Sequence, residues 1–292
     1  LVSDDNGILI CSWCEIPPNI NGVRQPRKIG VSRSSDGGDN WELCVSNITP
    51  NSYYIDKEYN CIGPSLCYNT SNNYAYLVFS SNNAGFSYDN NLVYIARSSY
   101  PYTAWTQGQV NNAATNQVYP TIAFDEYSNT MGCVYYNKFD GTFYKTYVSL
   151  TTDGGTAWSH NPVSQSSFTN LSTSLIRNDY IGLSMSRGYV VPVWTQLESG
   201  NYHSYAAPFT LTNADFDIPN TALTQNTTYK AANSIFNSAS LNNVSLSSYS
   251  LTLTAGNYIQ LNPGFDVVAS GSNTFSATIP FCTVSSTDNL SF

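Results

Sequence analysis

The sequence predicts an all-β protein, and three observations carry that expectation. Aromatic residues make up 14% of the 292 residues, with 23 Tyr, while charged residues make up only 10%. Such a composition suits strands and turns, because surface helices draw on Glu, Lys and Ala. Near-continuous apolar segments recur between polar turns, as strands buried on both faces of a sheet require. A tight hairpin signal, Ser34-Ser35-Asp36-Gly37-Gly38-Asp39-Asn40-Trp41, returns at Thr151-Thr152-Asp153-Gly154-Gly155-Thr156-Ala157-Trp158.

In chain order the elements fall into four-stranded units. Segments starting at Gly7, Asn73, Thr130 and Gly188 superimpose, each following a polar turn and ending six positions later on Trp13, Phe79, Tyr136 or Trp194. A preceding strand is expected from Ile62 to Tyr68, from Tyr119 to Asp125 and from Tyr180 to Met185. A following strand is expected from Lys28, Leu92, Tyr144 and Tyr202, and a fourth begins near Trp41, Trp105 and Trp158. The tryptophans set periods of 64 and 53 residues. Four-stranded units repeating at this spacing are the mark of a β-propeller, where each blade buries its faces on its neighbours.

Between the third and fourth strands, glycines supply positive φ and the Asp accepts backbone N–H groups. Trp41 is expected to return a large ring to the sheet and bury it there. The middle copy, Ser98 to Trp105, has Tyr100 where the others have Asp. Residues 1–45 account for strands two to four of a first blade without its inner strand, and 62–107 and 119–160 for two full blades. Residues 180–207 give three strands of another blade, without its outer one.

The two S/T-x-D-x-G-x-x-W turns resemble the Asp-boxes of sialidase-like (BNR) β-propellers. On that resemblance, Ser34, Asp36, Gly38 and Trp41, with Thr151, Asp153, Gly155 and Trp158, are structural residues on the outer rim, away from the active face. Such propellers usually have six blades, so four blades are expected to be the C-terminal portion of a longer one; a complete four-bladed ring is the other reading. The propeller portion is assigned to 1–209, a linker to 210–228, a small stacked β module to 229–282 and a tail to 283–292. The module's Ala-Gly-Asn-Tyr-Ile-Gln-Leu261, Pro-Gly-Phe265 and Phe-Ser-Ala-Thr-Ile279 resemble a small β module of secreted Bacteroidota proteins, which often precedes a type IX secretion signal. That resemblance implies a protein at the cell surface or outside the cell.

Several functions are disfavoured. The net charge is −8 and the 11 basic residues are scattered, against the clustered cations that nucleic acid needs. No apolar run reaches the length of a membrane span. Of seven cysteines, Cys11 and Cys14 have CxxC spacing, but no second pair and no nearby His complete a zinc site. Within a strand they would face opposite ways. Buried thiols or one or two disulfides explain the cysteines better, and neither a metal nor a cofactor is called for.

Sialidases clamp the substrate carboxylate with three arginines and use a Tyr nucleophile activated by a Glu, with an Asp acid/base. The Arg-Ile-Pro signature is absent here, since Val23-Arg24-Gln25-Pro26-Arg27 does not match. Arg33 and Arg97 occupy equivalent repeat positions beside the boxes and are read as structural. No residue is assigned as catalytic. The most site-like cluster is Arg177, Asp179 and Tyr180, which leads into an inner strand and is the candidate ligand-binding set. His160 and His203 lack a nucleophile motif and are read as surface or packing residues. The functional expectation is a secreted or cell-surface recognition protein that binds glycans or other proteins through a non-catalytic propeller. The alternatives are a sialidase-type glycoside hydrolase and a purely architectural repeat.

Overall fold

The computed structural model describes residues 1–15, 18, 20–21, 28–48, 64–81, 91–111, 116–140, 143–169, 181–198 and 200–211, and a set of strands from 215 to 278. The described residues contain strands and turns and no helix. Two compact units emerge: Leu1–Met185 with Val191–Pro208, and Ser186–Val190 with Phe209–Phe292.

The first blade comprises β1 (Val2–Ser3), β2 (Leu9–Glu15), β3 (Lys28–Ser34) and β4 (Glu42–Val45), paired in that order. β1 corrects the expectation that this blade lacks its inner strand: two residues, Val2 opposite Ile10 and Ser3 opposite Leu9, suffice to pair. A strand so short carries no readable alternation in sequence. The second blade is β5 (Ser65–Asn69), β6 (Tyr74–Ser81), β7 (Leu92–Ser98) and β8 (Thr106–Gln109). The third is β9 (Asn116–Asp125), β10 (Thr130–Asp140), β11 (Phe143–Thr151) and β12 (Ser159–Pro162), with β13 (Phe168–Thr169) added to β11. The fourth orders β14 (Gly182–Ser186), β15 (Tyr189–Glu198) and β16 (Asn201–Ala206), with β17 (Phe209–Thr210) paired to β15. These antiparallel meanders, stacked face on face, are a β-propeller portion.

The stacking explains the continuous hydrophobicity of the second strands. On β6, Ala75, Leu77 and Phe79 pack with Ile10, Ile29 and Val31 of blade one. The intervening Tyr76 and Val78 pack with Ile122, Met131 and Cys133 of blade three. Period-two alternation thus serves two cores, and both faces are apolar. β15 departs from this pattern: Val190, Pro192 and Trp194 are buried, while Tyr189 and Val193 are 51% and 43% exposed. Among the described residues only one of its faces is packed along this stretch.

The box turns follow one plan. Asp36 Oδ1 accepts from Ser34 Oγ at 2.7 Å and from Asn40 N at 2.9 Å. Asp153 Oδ1 accepts from Thr151 Oγ1 at 2.7 Å and from Ala157 N at 3.0 Å. Each box indole donates back three residues, Trp41 to Gly38 O, Trp105 to Tyr102 O and Trp158 to Gly155 O. The same bond forms in all three turns, yet Trp41 is 44% exposed and does not bury its ring in the sheet. Trp105 and Trp158, partly buried, do pack against the inter-blade cores.

Beyond the blades lie β18 (Asp215–Asp217), β19 (Thr227–Ala231), β20 (Ser234–Phe236), β21 (Asn242–Leu246), β22 (Leu251–Ala255), β23 (Tyr258–Gln260), β24 (Phe265–Ala269) and β25 (Phe275–Thr278). All their pairings are parallel, in three ladders: β18-β20-β23, β19-β22-β25 and β21-β24. Thr227 pairs with Leu251 and Leu251 with Phe275, so one coil takes 24 residues. The ladders recur in fixed rotation, which makes this unit a small three-faced parallel β-coil.

Candidate functional site

The second-to-third-strand hairpins lie at the opposite end of each sheet from the box turns, and at this end blades three and four share a buried aromatic cluster of Val118, Tyr119, Tyr136, Phe168 and Trp194, with the partly buried Tyr205 packed against it. The cluster starts on β9, where Tyr119 takes a left-handed φ of 58° before Pro120. The register jumps there, from Val134 opposite Thr121 to Tyr136 opposite Val118. A bulge of this kind re-aims side chains at a strand end. Tyr119 meets Tyr136 edge to face at 6.0 Å, and Phe168 packs edge-on to Tyr136 at 5.6 Å. The Tyr136 hydroxyl then reaches blade four, donating to Thr195 O at 2.8 Å and accepting from Thr195 N at 3.1 Å. One phenol satisfies both backbone groups of a buried residue, which fixes β15 against β10.

On β15, Trp194, Gln196 and Glu198 share one face by the period of two. Trp194 lies directly opposite Tyr205 on β16, and Gln196 opposite His203. The Trp194 and Tyr205 rings stack at 5.8 Å and 20°, and His203 lies beside Tyr205 at 6.4 Å. A polar chain runs outward from the buried indole. Trp194 Nε1 donates to Gln196 Oε1 at 3.1 Å, Gln196 Nε2 donates to Glu198 Oε1, and the Tyr205 hydroxyl donates to Glu198 Oε2 at 2.6 Å. The Tyr205 bond, then the Gln196 bond, hold the Glu198 carboxyl below its usual range; the same bond raises the Tyr205 hydroxyl. The site thus offers an ionised carboxylate, a phenol, an amide and an aromatic stack.

The candidate set Arg177, Asp179 and Tyr180 lies outside the described residues. Asp36 and Asp153 sit at the box end, their pKa values lowered by the turn hydrogen bonds, first of all the backbone N–H of Asn40 and of Ala157. Arg33 and Arg97 are also at that end and play one part in two blades. Arg33 Nη1 donates to Pro101 O at 3.1 Å and Arg97 Nη1 to Gly154 O at 3.2 Å, the same position of the next blade's turn. Arg33 also pairs with Glu42 at 2.7 Å. Tyr102, at the decayed turn, donates to Asp4 Oδ2 at 2.6 Å and so ties blade two to the Asp4 turn of blade one. His160 Nδ1 lies 2.7 Å from Ser149 Oγ, which meets the Tyr135 hydroxyl at 3.0 Å. Ser149 and Tyr135 are fully buried, so this chain is packing. The five described cysteines, Cys11, Cys14, Cys44, Cys67 and Cys133, are free thiols, which removes disulfides among them; Cys61 and Cys282 lie outside the described residues.

Sequence reasoning missed Gln196, Glu198 and Tyr205. The signal was available in the Trp-x-Gln-x-Glu alternation before Ser199-Gly200 in the sequence, and the pairing of Glu198 with Asn201 brings Tyr205 opposite Trp194.

No protein-family model and no curated protein matches the sequence. Several solved structures are similar to it over part of their length. A Hadza microbial sialidase is 13% identical with a TM-score of 0.49, covering 70% of this chain and 42% of that one. A Dyadobacter fermentans protein of unknown function is 12% identical with a TM-score of 0.47, covering 73% and 64%. A Penicillium chrysogenum α-L-arabinanase complexed with arabinobiose is 14% identical with a TM-score of 0.44, covering 72% and 62%. This chain therefore spans less than two thirds of the length of each of these structures.

Proposed function

We propose that the partly exposed Tyr205–Glu198 edge of the β15–β16 cluster binds carbohydrate, and that the protein is a secreted or cell-surface recognition protein. The stacked Trp194–Tyr205 pair ending on the Glu198 carboxylate carries this reading. Sugar rings offer an apolar C–H face to an aromatic ring and hydroxyl edges to carboxylates and amides, and this array supplies both. The Asp-box resemblance and the Asn-, Ser- and Thr-rich strands agree with an extracellular setting. A glycan array probed with the whole chain tests the reading. Wild type is expected to bind a defined subset of glycans, and Tyr205→Ala to lose at least about tenfold in affinity, the weight of one stacked ring with its hydroxyl. Undiminished binding by Tyr205→Ala would place the site elsewhere.

A second reading has its own observation. Tyr205 and Glu198 lie at 2.6 Å, the arrangement in which a carboxylate activates a phenol as a nucleophile. Turnover of a fluorogenic glycoside that disappears in Tyr205→Phe would make this chain, or the protein it belongs to, a glycoside hydrolase. Binding without turnover favours recognition.

A further inference from the structure

We infer that Glu198 sets the ligand class of this β15–β16 edge, admitting uncharged sugars through their hydroxyl donors and excluding sugars that carry a carboxylate. The inference rests on the carbohydrate-binding reading and narrows it. Glu198 accepts one hydrogen bond on each oxygen, from Gln196 and from Tyr205. An ionised carboxylate has about four acceptor positions, so about two remain for a ligand. Neighbouring hydroxyls of a neutral sugar can fill them as donors. A carboxylated sugar would bring a second anion to the same spot. Both existing bonds favour the ionised form, so the repulsion persists at neutral pH.

Among the described residues, the arginines that could reverse this preference stand at the other end of the sheets. Of the described arginines, Arg33 and Arg97 are bonded to box turns, and Arg187 sits in the turn that opens β15. Planar guanidinium forks are what recognise carboxylates bidentately, and none of the described ones is at the Glu198 end. Lys138 and Lys145 on the hairpin end of blade three, and Lys28 on that of blade one, are described lysines at that end, and they are point charges without a fork. The overall charge of −8 adds to the bias.

Two oligosaccharide probes of equal length, one neutral and one capped with a sialic acid, test this by fluorescence polarisation on the whole chain. Wild type is expected to bind the neutral probe and to hold the sialylated one at least about tenfold more weakly, the scale of one like-charge contact near a surface. Glu198→Gln keeps the shape and removes the charge. It is expected to narrow that gap about tenfold, with the melting temperature within a few degrees of wild type. Tyr205→Phe, which keeps the carboxylate charged, is expected to weaken the neutral probe and leave the gap open. A wild-type preference for the sialylated probe, or an unchanged gap in a folded Glu198→Gln variant, overturns the inference while the carbohydrate reading stands. Binding of neither probe, nor of any glycan on the array, removes both.

Discussion

Single residues hold the box turns together, and they do so with charge. Turn N–H and hydroxyl donors point at the Asp36 and Asp153 carboxylates and lower both pKa values from the ordinary aspartate value of about 4. A depressed folded-state pKa stabilises above the unfolded value, and the contribution disappears as pH falls through the folded value. The thermal midpoint is therefore expected to drop on acidification below about pH 4, and to drop less steeply in the double variant Asp36→Asn/Asp153→Asn. Equal slopes for the two proteins would show that the turn carboxylates do not carry the acid response. Gly30 gives a second test. A Cβ there would lie 2.3 Å from Cζ2 of Trp13, so Gly30→Ala is expected to destabilise by about 1–3 kcal/mol in urea unfolding. A near-neutral result would mean that the indole has room to swing away. The box aspartates were legible from sequence because turn chemistry is local. The exposure of Trp41 was not, since it depends on what packs over the turn: Trp105 and Trp158 make the same indole bond and lie against the inter-blade cores.

Elements are joined by a repeated clasp at the box end. The third-strand arginine of one blade donates to the turn of the next, at Pro101 and again at Gly154. Where the turn lacks its Asp, the Tyr102 hydroxyl reaches the buried Asp4 carboxylate of the neighbouring blade. Tyr102→Phe leaves that carboxylate one donor short and is expected to cost about 1–3 kcal/mol, whereas Arg97→Ala, at a partly exposed position, should cost about 1 kcal/mol or less. Urea denaturation of both variants checks the order, and a larger loss in Arg97→Ala would reverse the roles assigned to the two contacts. The strand sequence of each blade was readable in advance, because apolar segments, polar turns and the spaced tryptophans all recur. The inter-blade partners were not readable, since Arg33 and Pro101, or Tyr102 and Asp4, are brought together only by stacking. β1 was missed for the opposite reason, being too short to show a pattern.

At the scale of the whole molecule, the propeller portion places two different sets of contacts at opposite ends of its sheets. Box turns, arginine clasps and the Asp4 contact occupy one end of the sheets; the Tyr136 bridge and the Trp194, Gln196, Glu198 and Tyr205 array occupy the other. Tyr136→Phe removes the hydroxyl that serves both backbone groups of Thr195, and it is expected to weaken glycan binding together with stability. The box turns are held by hydrogen bonds between residues close in sequence, which is why the motif was legible, whereas the Trp194–Tyr205 array depends on cross-strand pairing and was not. Hydrogen–deuterium exchange with a bound oligosaccharide tests this division most directly. Protection is predicted in β15 and β16, across Trp194 to Tyr205, with the box turns unchanged. Protection confined to the box turns, with β15 and β16 unaffected, would contradict it.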